Sequence, residues 1–245
     1  MRIILLDHSG SMGEPFSGKT EFAGRTRRTA AAIKLEAAKT ELLRSIASLA
    51  SPTPIALFEF TSSASLIYEG MSIENAAIKF ALDGLVAHNG TDIAAALNKA
   101  SEYAAKLSNV PIIQVLVISD GLSNLASAQS SAQELARQRA VIINVILIDP
   151  TDDGEQVARA IAVNGEVFFV TSSGEFAESI SGVTKEQEEL ARQIDSALNE
   201  YQEEEDAITS KVIPEERLSF TAAYPGAISH GIWYSLLVYL QKLRA

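Results

Sequence analysis

The run RIILLDHSGS occupies residues 2–11 and shapes the interpretation of the whole chain. Its first half is a short continuous apolar segment, which is typical of a strand covered on both faces. Its second half places Asp7, Ser9 and Ser11 at alternate positions of a loop in which Gly10 permits a tight turn. The run therefore predicts a buried strand that carries three oxygen-bearing side chains at its carboxyl end.

Strand-like and helix-like segments alternate along the next part of the chain. Short apolar runs predict strands at 55–60, 65–68, 112–118, 141–148 and 167–170. Helical spacing of apolar residues predicts helices at 28–49, 72–82, 92–107, 125–139, 155–163 and 175–180. This alternation predicts an α/β fold with a doubly wound, mostly parallel sheet and helices on both faces. Ligands of such sheets bind outside the carboxyl ends of the strands, so the loops after Leu6, after Ile118 and before Asp92 are the candidate site.

The composition changes near Gly182, which predicts three parts. Residues 1–182 form the α/β domain, residues 183–210 an acidic helix, and residues 211–245 a small β-rich tail or a fragment of a second domain. We expect the helix to pack on the domain by one apolar stripe, with partner binding as the alternative. A few strands alone are marginally stable, so we expect the tail to pack on the main domain or on another molecule.

Composition and charge limit the class of function. The 245 residues include 20 Lys and Arg against 31 Asp and Glu, a net charge of −11, which disfavours general nucleic-acid binding. The absence of Cys excludes thiolate chemistry and disulfides. The apolar run at residues 3–6 is too short for a secretory signal, and the run at 232–240 is far below the ~20 residues of a membrane span. We therefore expect a cytoplasmic protein without a membrane partner.

Two further polar segments follow predicted structural elements. Thr91 supplies a hydroxyl just before a helix, and Asp120 supplies a carboxylate at the end of a core strand. The strand ends at Asp7 and Asp120 are neighbours if the strand order reverses at the first strand. Carboxylates and hydroxyls are hard oxygen donors, which suit Mg²⁺ or Mn²⁺ rather than a soft metal.

These residues together resemble the metal-ion-dependent adhesion site of von Willebrand factor type A domains. Asp7, Ser9, Ser11, Thr91 and Asp120 each match one of that family's five site positions, and the resemblance covers roughly residues 1–182. It implies a Rossmann-like fold in which Ser9, Ser11 and Thr91 bind the cation directly or nearly so, while Asp7 and Asp120 act mainly through waters. It also implies that a carboxylate of a partner protein completes the coordination, so that the domain binds rather than catalyses.

The resemblance extends to the biological setting. Small intracellular bacterial proteins of this family tend to act with AAA+ ATPases or in multi-protein signalling and defence systems. An AAA+ ATPase or an effector protein is therefore the expected type of partner.

Two enzymatic alternatives remain open. The segment Gly13–Thr20 fits the phosphate-loop pattern G-x-x-x-x-G-K-[ST], with Lys19 as its lysine, although the predicted strand ends well before Gly13. A metal-dependent phosphatase with Asp7 as nucleophile is the second, but it lacks the usual acidic residue at position 9, which is Ser. Local roles also compete, with Asp7 and Ser9 as turn formers and Thr91 or Asp92 as a helix cap.

Overall fold

The computed structural model describes residues 1–17, 32–107, 110, 112–121, 123–138 and 140–183, together with residues 189, 193 and 196. The chain divides into two units, residues 1–187 and 188–245, and the strands and helices named below lie in the first. The predicted β-rich tail and nearly all of the predicted acidic helix lie outside the described residues, so those predictions and the domain boundaries attached to them stay predictions.

A six-stranded sheet forms the centre of the first unit. Its strands are β1 (Arg2–Asp7), β2 (Pro54–Phe60), β3 (Ala64–Met71), β4 (Ile113–Ser119), β5 (Val141–Ile148) and β6 (Val167–Val170). They lie in the order β3-β2-β1-β4-β5-β6, and β3 alone among them runs antiparallel to its neighbour. This confirms the doubly wound, mostly parallel sheet. The antiparallel edge follows from the short turn between β2 and β3, since a parallel partner would need a crossover connection.

Helices cover both faces of the sheet. They are α1 (Lys34–Ala47), α2 (Asn75–Asp83), α3 (Ile93–Ala104), α4 (Leu125–Gln138) and α5 (Asp152–Ile161), and residues 173–183 are helical as well. Alternate residues of β1 divide between two cores. Ile3 and Leu5 pack in the core that includes α3, α4 and α5, whereas Ile4 and Leu6 pack in the core that includes α1, α2 and residues 176–183. Burial on both faces explains why β1 reads as an unbroken apolar run.

The first long helix begins later than its sequence pattern predicts. We expected a helix from Arg28, but α1 begins at Lys34, and residues 28–31 lie outside the described residues. The chain before α1 is extended because it pairs with the segment that follows β1. Phe16 N–H donates to Ala32 O at 3.1 Å, and Lys34 N–H donates to Glu14 O at 3.1 Å. This pairing fixes the start of α1 at the carboxyl edge of the sheet.

Smaller boundary differences have local causes. We expected a helix from Ser72, but α2 begins at Asn75 because Ser72 N–H is bonded to Thr53 O at 2.9 Å. The fifth helix begins at Asp152 rather than at Glu155, since Thr151 caps it by accepting from Gly154 N–H at 3.1 Å. Among the described residues, no helix combines the length and apolar character needed to cross a bilayer.

Candidate metal centre

The candidate site lies where the strand order of the sheet reverses. From β1 the chain first builds the sheet towards β3 and later returns to place β4 on the other side of β1. The carboxyl ends of β1 and β4 are therefore adjacent, with Leu6 opposite Ile118. Asp7 ends β1 and is 0% exposed, while Asp120 follows β4 and is 4% exposed. A reversal of strand order opens a crevice at this edge, which is where α/β sheets bind ligands.

The carboxylate of Asp7 is fixed by hydrogen bonds to both of its oxygens. Ser9 N–H donates to Oδ1 at 2.7 Å, and Ser119 Oγ donates to Oδ2 at 2.6 Å. Burial raises the pKa of Asp7 to about 6, even though the hydrogen bonds from Ser119 and Ser9 act in the opposite direction and Asp120 adds only a small upward effect. The carboxylate is thus held in one orientation in a setting that disfavours its negative charge, which a nearby cation would relieve.

A short 3-10 turn (Gly10–Gly13) follows β1; Ser9 directly precedes this turn and Ser11 lies within it. The Oγ atoms of Ser9 and Ser11 are 3.2 Å apart, so the two hydroxyls converge on one point. The turn is tied to the loop before α3, because Gly10 N–H donates to Asn89 O at 3.0 Å and His88 N–H donates to His8 O at 2.9 Å. Asn89 takes a left-handed backbone conformation with φ 61°, which directs its carbonyl towards Gly10.

Asp92 rather than Thr91 caps α3. Its carboxylate accepts from Ala95 N–H at 3.1 Å, and its own N–H donates to Thr61 O at 2.6 Å. The capping role proposed from the sequence therefore belongs to Asp92. Thr91 lies one residue earlier, half-buried, on the loop that Gly10 and His8 tie to the Asp7 turn. The fold thus brings the Thr91 loop to the same edge as Asp7, Ser9 and Ser11.

Asp120 differs from Asp7 in its surroundings. Its Oδ1 is buried and has no hydrogen-bond partner among the residues that the structure describes. Its Oδ2 lies 3.9 Å from Nζ of Lys34, the first residue of α1, and that ammonium lies 3.3 Å from Oδ2 of Asp149 at the end of β5. A buried carboxylate oxygen without a partner is costly, so it marks a place where a water or cation belongs.

Comparison with known proteins identifies the family of this domain. The family model described as "von Willebrand factor type A domain" matches residues 3–123, a stretch that contains Asp7, Ser9, Ser11, Thr91 and Asp120. This chain contains a von Willebrand factor type A domain. Domains of this family are protein-interaction modules. A comparison with curated protein sequences found no match.

Solved structures support the fold of this von Willebrand factor type A domain. BatB from Bacteroides thetaiotaomicron is similar with a TM-score of 0.60 at 19% identity, over 78% of this chain and 98% of that one. A von Willebrand factor type A protein from Catenulispora acidiphila gives 0.54 at 22% identity, over 75% and 41%. The corresponding domain of the type V pili tip protein Mfa5 from Porphyromonas gingivalis gives 0.57 at 12% identity, over 76% and 94%. At these identities the likeness concerns the fold.

The donors at the site of this von Willebrand factor type A domain fit a hard divalent cation. They are two buried carboxylates and a set of hydroxyls, with one carboxylate oxygen left without a partner. Among the described residues, no group of three or more His, Asp or Glu side chains could hold a metal by itself. A cation here would rely on hydroxyls and waters, which matches the preference of Mg²⁺ for few direct protein ligands. Ser9, Ser11, Thr91, Asp7 and Asp120 are the residues that would hold it.

The geometry gives the two enzymatic alternatives little support. Gly13 ends the 3-10 turn and does not directly follow a strand, whereas a phosphate loop starts at a strand end; Gly18, Lys19 and Thr20 lie outside the described residues. Asp7 is fully buried with both oxygens bonded, so it is poorly placed to attack a phosphate.

The structure adds residues that the sequence analysis did not single out. Ser119 bonds the Asp7 carboxylate, while Lys34 and Asp149 approach Asp120. Asp149 could have been found by the signal that identified Asp7 and Asp120, since it too directly follows a buried strand. His8 is another such residue: it is buried, with Nδ1 2.9 Å from Val86 O and Nε2 3.2 Å from Glu59 Oε2, and it supports the loop.

Proposed function

We propose that this domain binds a partner protein through a divalent cation, Mg²⁺ or Mn²⁺, held at the carboxyl edge of β1 and β4. Ser9, Ser11 and Thr91 supply hydroxyl ligands, and Asp7 and Asp120 supply negative charge through waters. An Asp or Glu side chain of the partner fills the coordination position that remains. The observation that carries this proposal is the buried oxygen of Asp120 that has no hydrogen-bond partner among the described residues, at the end of the strand next to the one that leads to the converging hydroxyls of Ser9 and Ser11.

The physical argument for metal dependence is one of charge. Two buried carboxylates, those of Asp7 and Asp120, lie at the ends of adjacent strands, and Asp120 raises the pKa of Asp7, so a cation between them would be favourable. Once a divalent cation is bound, the site changes from repelling a carboxylate to attracting one. This explains how a chain with a net charge of −11 can bind an acidic side chain of its partner. Partner binding should therefore be lost on chelation.

The setting of the interaction belongs to the same proposal. We infer a cytoplasmic protein that acts with an AAA+ ATPase, or within a bacterial signalling or defence assembly, without catalysis of its own. The acidic surface of the chain supports a protein partner over nucleic acid, because phosphates would be repelled.

Titration of the chelator-treated protein with Mn²⁺ tests the metal site. We expect one ion to bind, and we expect the variant Ser9→Ala/Ser11→Ala to bind it more than about 100-fold more weakly, because two ligands are lost. The control is Ser62→Ala/Ser63→Ala, which removes two hydroxyls from the exposed turn between β2 and β3 and should leave Mn²⁺ affinity unchanged. Affinity that is indifferent to Ser9 and Ser11 would rule out this site.

Two further measurements separate the proposal from its alternatives. Acetate should displace water from the bound Mn²⁺, which is detected as a fall in the relaxation rate of solvent protons. No such fall would contradict an open coordination position for a carboxylate. ATP titrated into the wild type and into Lys19→Ala addresses the phosphate-loop alternative. ATP binding that requires Lys19 would favour a nucleotide-binding function instead.

A further inference from the structure

A buried lysine lies beside the candidate metal centre. Nζ of Lys34 is 3.3 Å from Oδ2 of Asp149 and 3.9 Å from Oδ2 of Asp120, and the three side chains are only 8%, 7% and 4% exposed. An ammonium group is costly to bury unless carboxylates compensate its charge. Lys34 therefore depends on these two aspartates, one of which belongs to the metal centre.

Asp149 is held in place from several directions. It follows β5 in a left-handed conformation with φ 50°, which is uncommon for a residue other than Gly. Its N–H donates to Val170 O at 2.7 Å, and its Oδ2 accepts from Ser17 N–H at 2.8 Å. Its second oxygen, Oδ1, is buried, and within the described part of the chain it has no hydrogen-bond partner. Asp149 is thus a fixed negative charge at the strand end next to Asp120.

The position of the ammonium decides how its charge acts on the site. Lys34 shares Asp120 with any cation that binds there, so the two positive charges compete for one carboxylate. Asp149 lies nearer to the ammonium than Asp120 does and so draws it away from the metal centre. Among the described residues of this region, the three carboxylates of Asp7, Asp120 and Asp149 accompany one ammonium, that of Lys34. The remaining excess of negative charge is what a divalent cation can neutralise.

We propose that Lys34 and Asp149 act as a pair that sets the cation affinity of the metal centre, with Lys34 weakening it and Asp149 restoring it. This inference rests on the proposed metal site. Neither residue is among the proposed cation ligands; both act through Asp120 and are positioning residues. The two opposing charges then leave the cation affinity close to the value that Asp7 and Asp120 alone would give.

Mn²⁺ titration of charge variants tests the pair. We expect Lys34→Met to bind Mn²⁺ roughly five- to ten-fold more tightly, because a competing positive charge is removed, and Asp149→Asn to bind it more weakly by a similar factor. The double variant Lys34→Met/Asp149→Asn should return close to wild-type affinity. Lys34→Arg keeps the charge and should stay within about two-fold of the wild type.

Opposite effects of the two single variants distinguish a charge role from a structural one. Damage to packing would weaken Mn²⁺ binding in both variants and would not be rescued by combining them. Lys39→Met is the matched control, since Lys39 is another buried lysine of α1 but donates to Leu85 O at 2.6 Å and to Glu36. We expect its Mn²⁺ affinity to be unchanged. If Lys34→Met fails to fold, the comparison of Asp149→Asn with the double variant still shows whether removal of the Lys34 charge restores Mn²⁺ affinity.

The outcomes separate this inference from the proposed function. Unchanged or weaker Mn²⁺ binding in folded Lys34→Met overturns the pair while leaving the metal site intact, provided that Ser9→Ala/Ser11→Ala still abolishes binding. Absence of Mn²⁺ binding in the wild type overturns both.

Discussion

The two strand ends of the candidate site hold equally buried carboxylates in different ways. Around Asp7 the contacts are hydrogen bonds to neutral groups, from Ser9 N–H two residues away and from Ser119 Oγ on the adjacent strand. Around Asp120, as far as the described residues show, the nearest counter-charge is an ammonium from the start of α1, and one oxygen has no hydrogen-bond partner. Both oxygens of Asp7 accept hydrogen bonds, whereas Oδ1 of Asp120 remains available to a water or a cation.

This difference assigns separate tasks to the two loops. The Asp7 side orients the serine hydroxyls, because the same turn carries both the bonded carboxylate and the converging Oγ atoms. The Asp120 side sets the electrostatics, because its charge is shared with Lys34 and balanced by Asp149. The orientation of the serine hydroxyls and the charge around Asp120 thus depend on different loops. A mutation can therefore change one of them and leave the other intact.

The largest expected effect tests how tightly the Asp120 loop is packed. Gly121 has φ 82°, and a Cβ there would lie 2.5 Å from Leu147 Cδ1 and 2.8 Å from Gly154 Cα. We expect Gly121→Ala to lower the free energy of unfolding by about 3–4 kcal/mol, through strain and overpacking combined. Gly10→Ala on the Asp7 side meets only Asn89 O, at 3.3 Å, and should cost about 1 kcal/mol. Urea unfolding measures both.

Gly90→Ala is the control for this comparison. A Cβ at Gly90 meets nothing within 4 Å, so we expect a change within about 0.5 kcal/mol. If Gly10→Ala proved as damaging as Gly121→Ala, the Asp7 turn would be as tightly packed as the Asp120 loop, and the expected difference in packing between the two loops would be wrong.

The second prediction concerns the pH dependence of the metal-free protein. Because burial raises the pKa of Asp7 to about 6, the folded state holds this proton more tightly than the unfolded state does. Stability is then highest below the unfolded pKa of about 4 and falls as the pH rises towards 6. In chelator, we expect Asp7→Asn to gain on the order of 2 kcal/mol relative to the wild type between pH 4 and pH 7.

Thermal or urea unfolding across this pH range provides the measurement. Adding Mg²⁺ should flatten the difference between wild type and Asp7→Asn, since a bound cation favours the ionised carboxylate. A wild-type protein that grows more stable relative to Asp7→Asn as the pH rises from 4 to 6, still in chelator, would contradict the pKa shift and its cause.

A region can be predicted from the sequence when its contacts join residues that are close together along the chain. The Asp7 side depends on residues within one short run, so Asp7, Ser9 and Ser11 could be identified directly, and the placement of Asp120 beside Asp7 followed from strand order alone. The role of Lys34 could not be read in this way, because its partner Asp149 is distant in sequence and the start of α1 depends on pairing with residues 14–16. Apolar periodicity carries no information on such contacts.

The smallest expected effect is that of replacing Ser119, whose side chain contacts both the Asp7 carboxylate and the Asp120 loop. Ser119 Oγ donates to Asp7 Oδ2 at 2.6 Å and accepts from Gly121 N–H at 3.0 Å. Ser119→Ala leaves that N–H buried without its partner and removes a donor from Asp7, which should cost about 1–2 kcal/mol in the free energy of unfolding. Because this hydrogen bond lowers the pKa of Asp7, its loss should also move the pH-dependent fall in stability to higher pH.

Ser72→Ala is the matched control, because Ser72 is a buried serine whose Oγ accepts from Thr53 N–H at 3.0 Å on the β2–β3 side of the sheet. It should cost a similar amount of stability without moving the pH window. A pH window that stays in place in Ser119→Ala would mean that the two carboxylate regions are not coupled through this hydroxyl. A window that moves would show that Ser119, on the strand that leads to Asp120, lowers the pKa of Asp7.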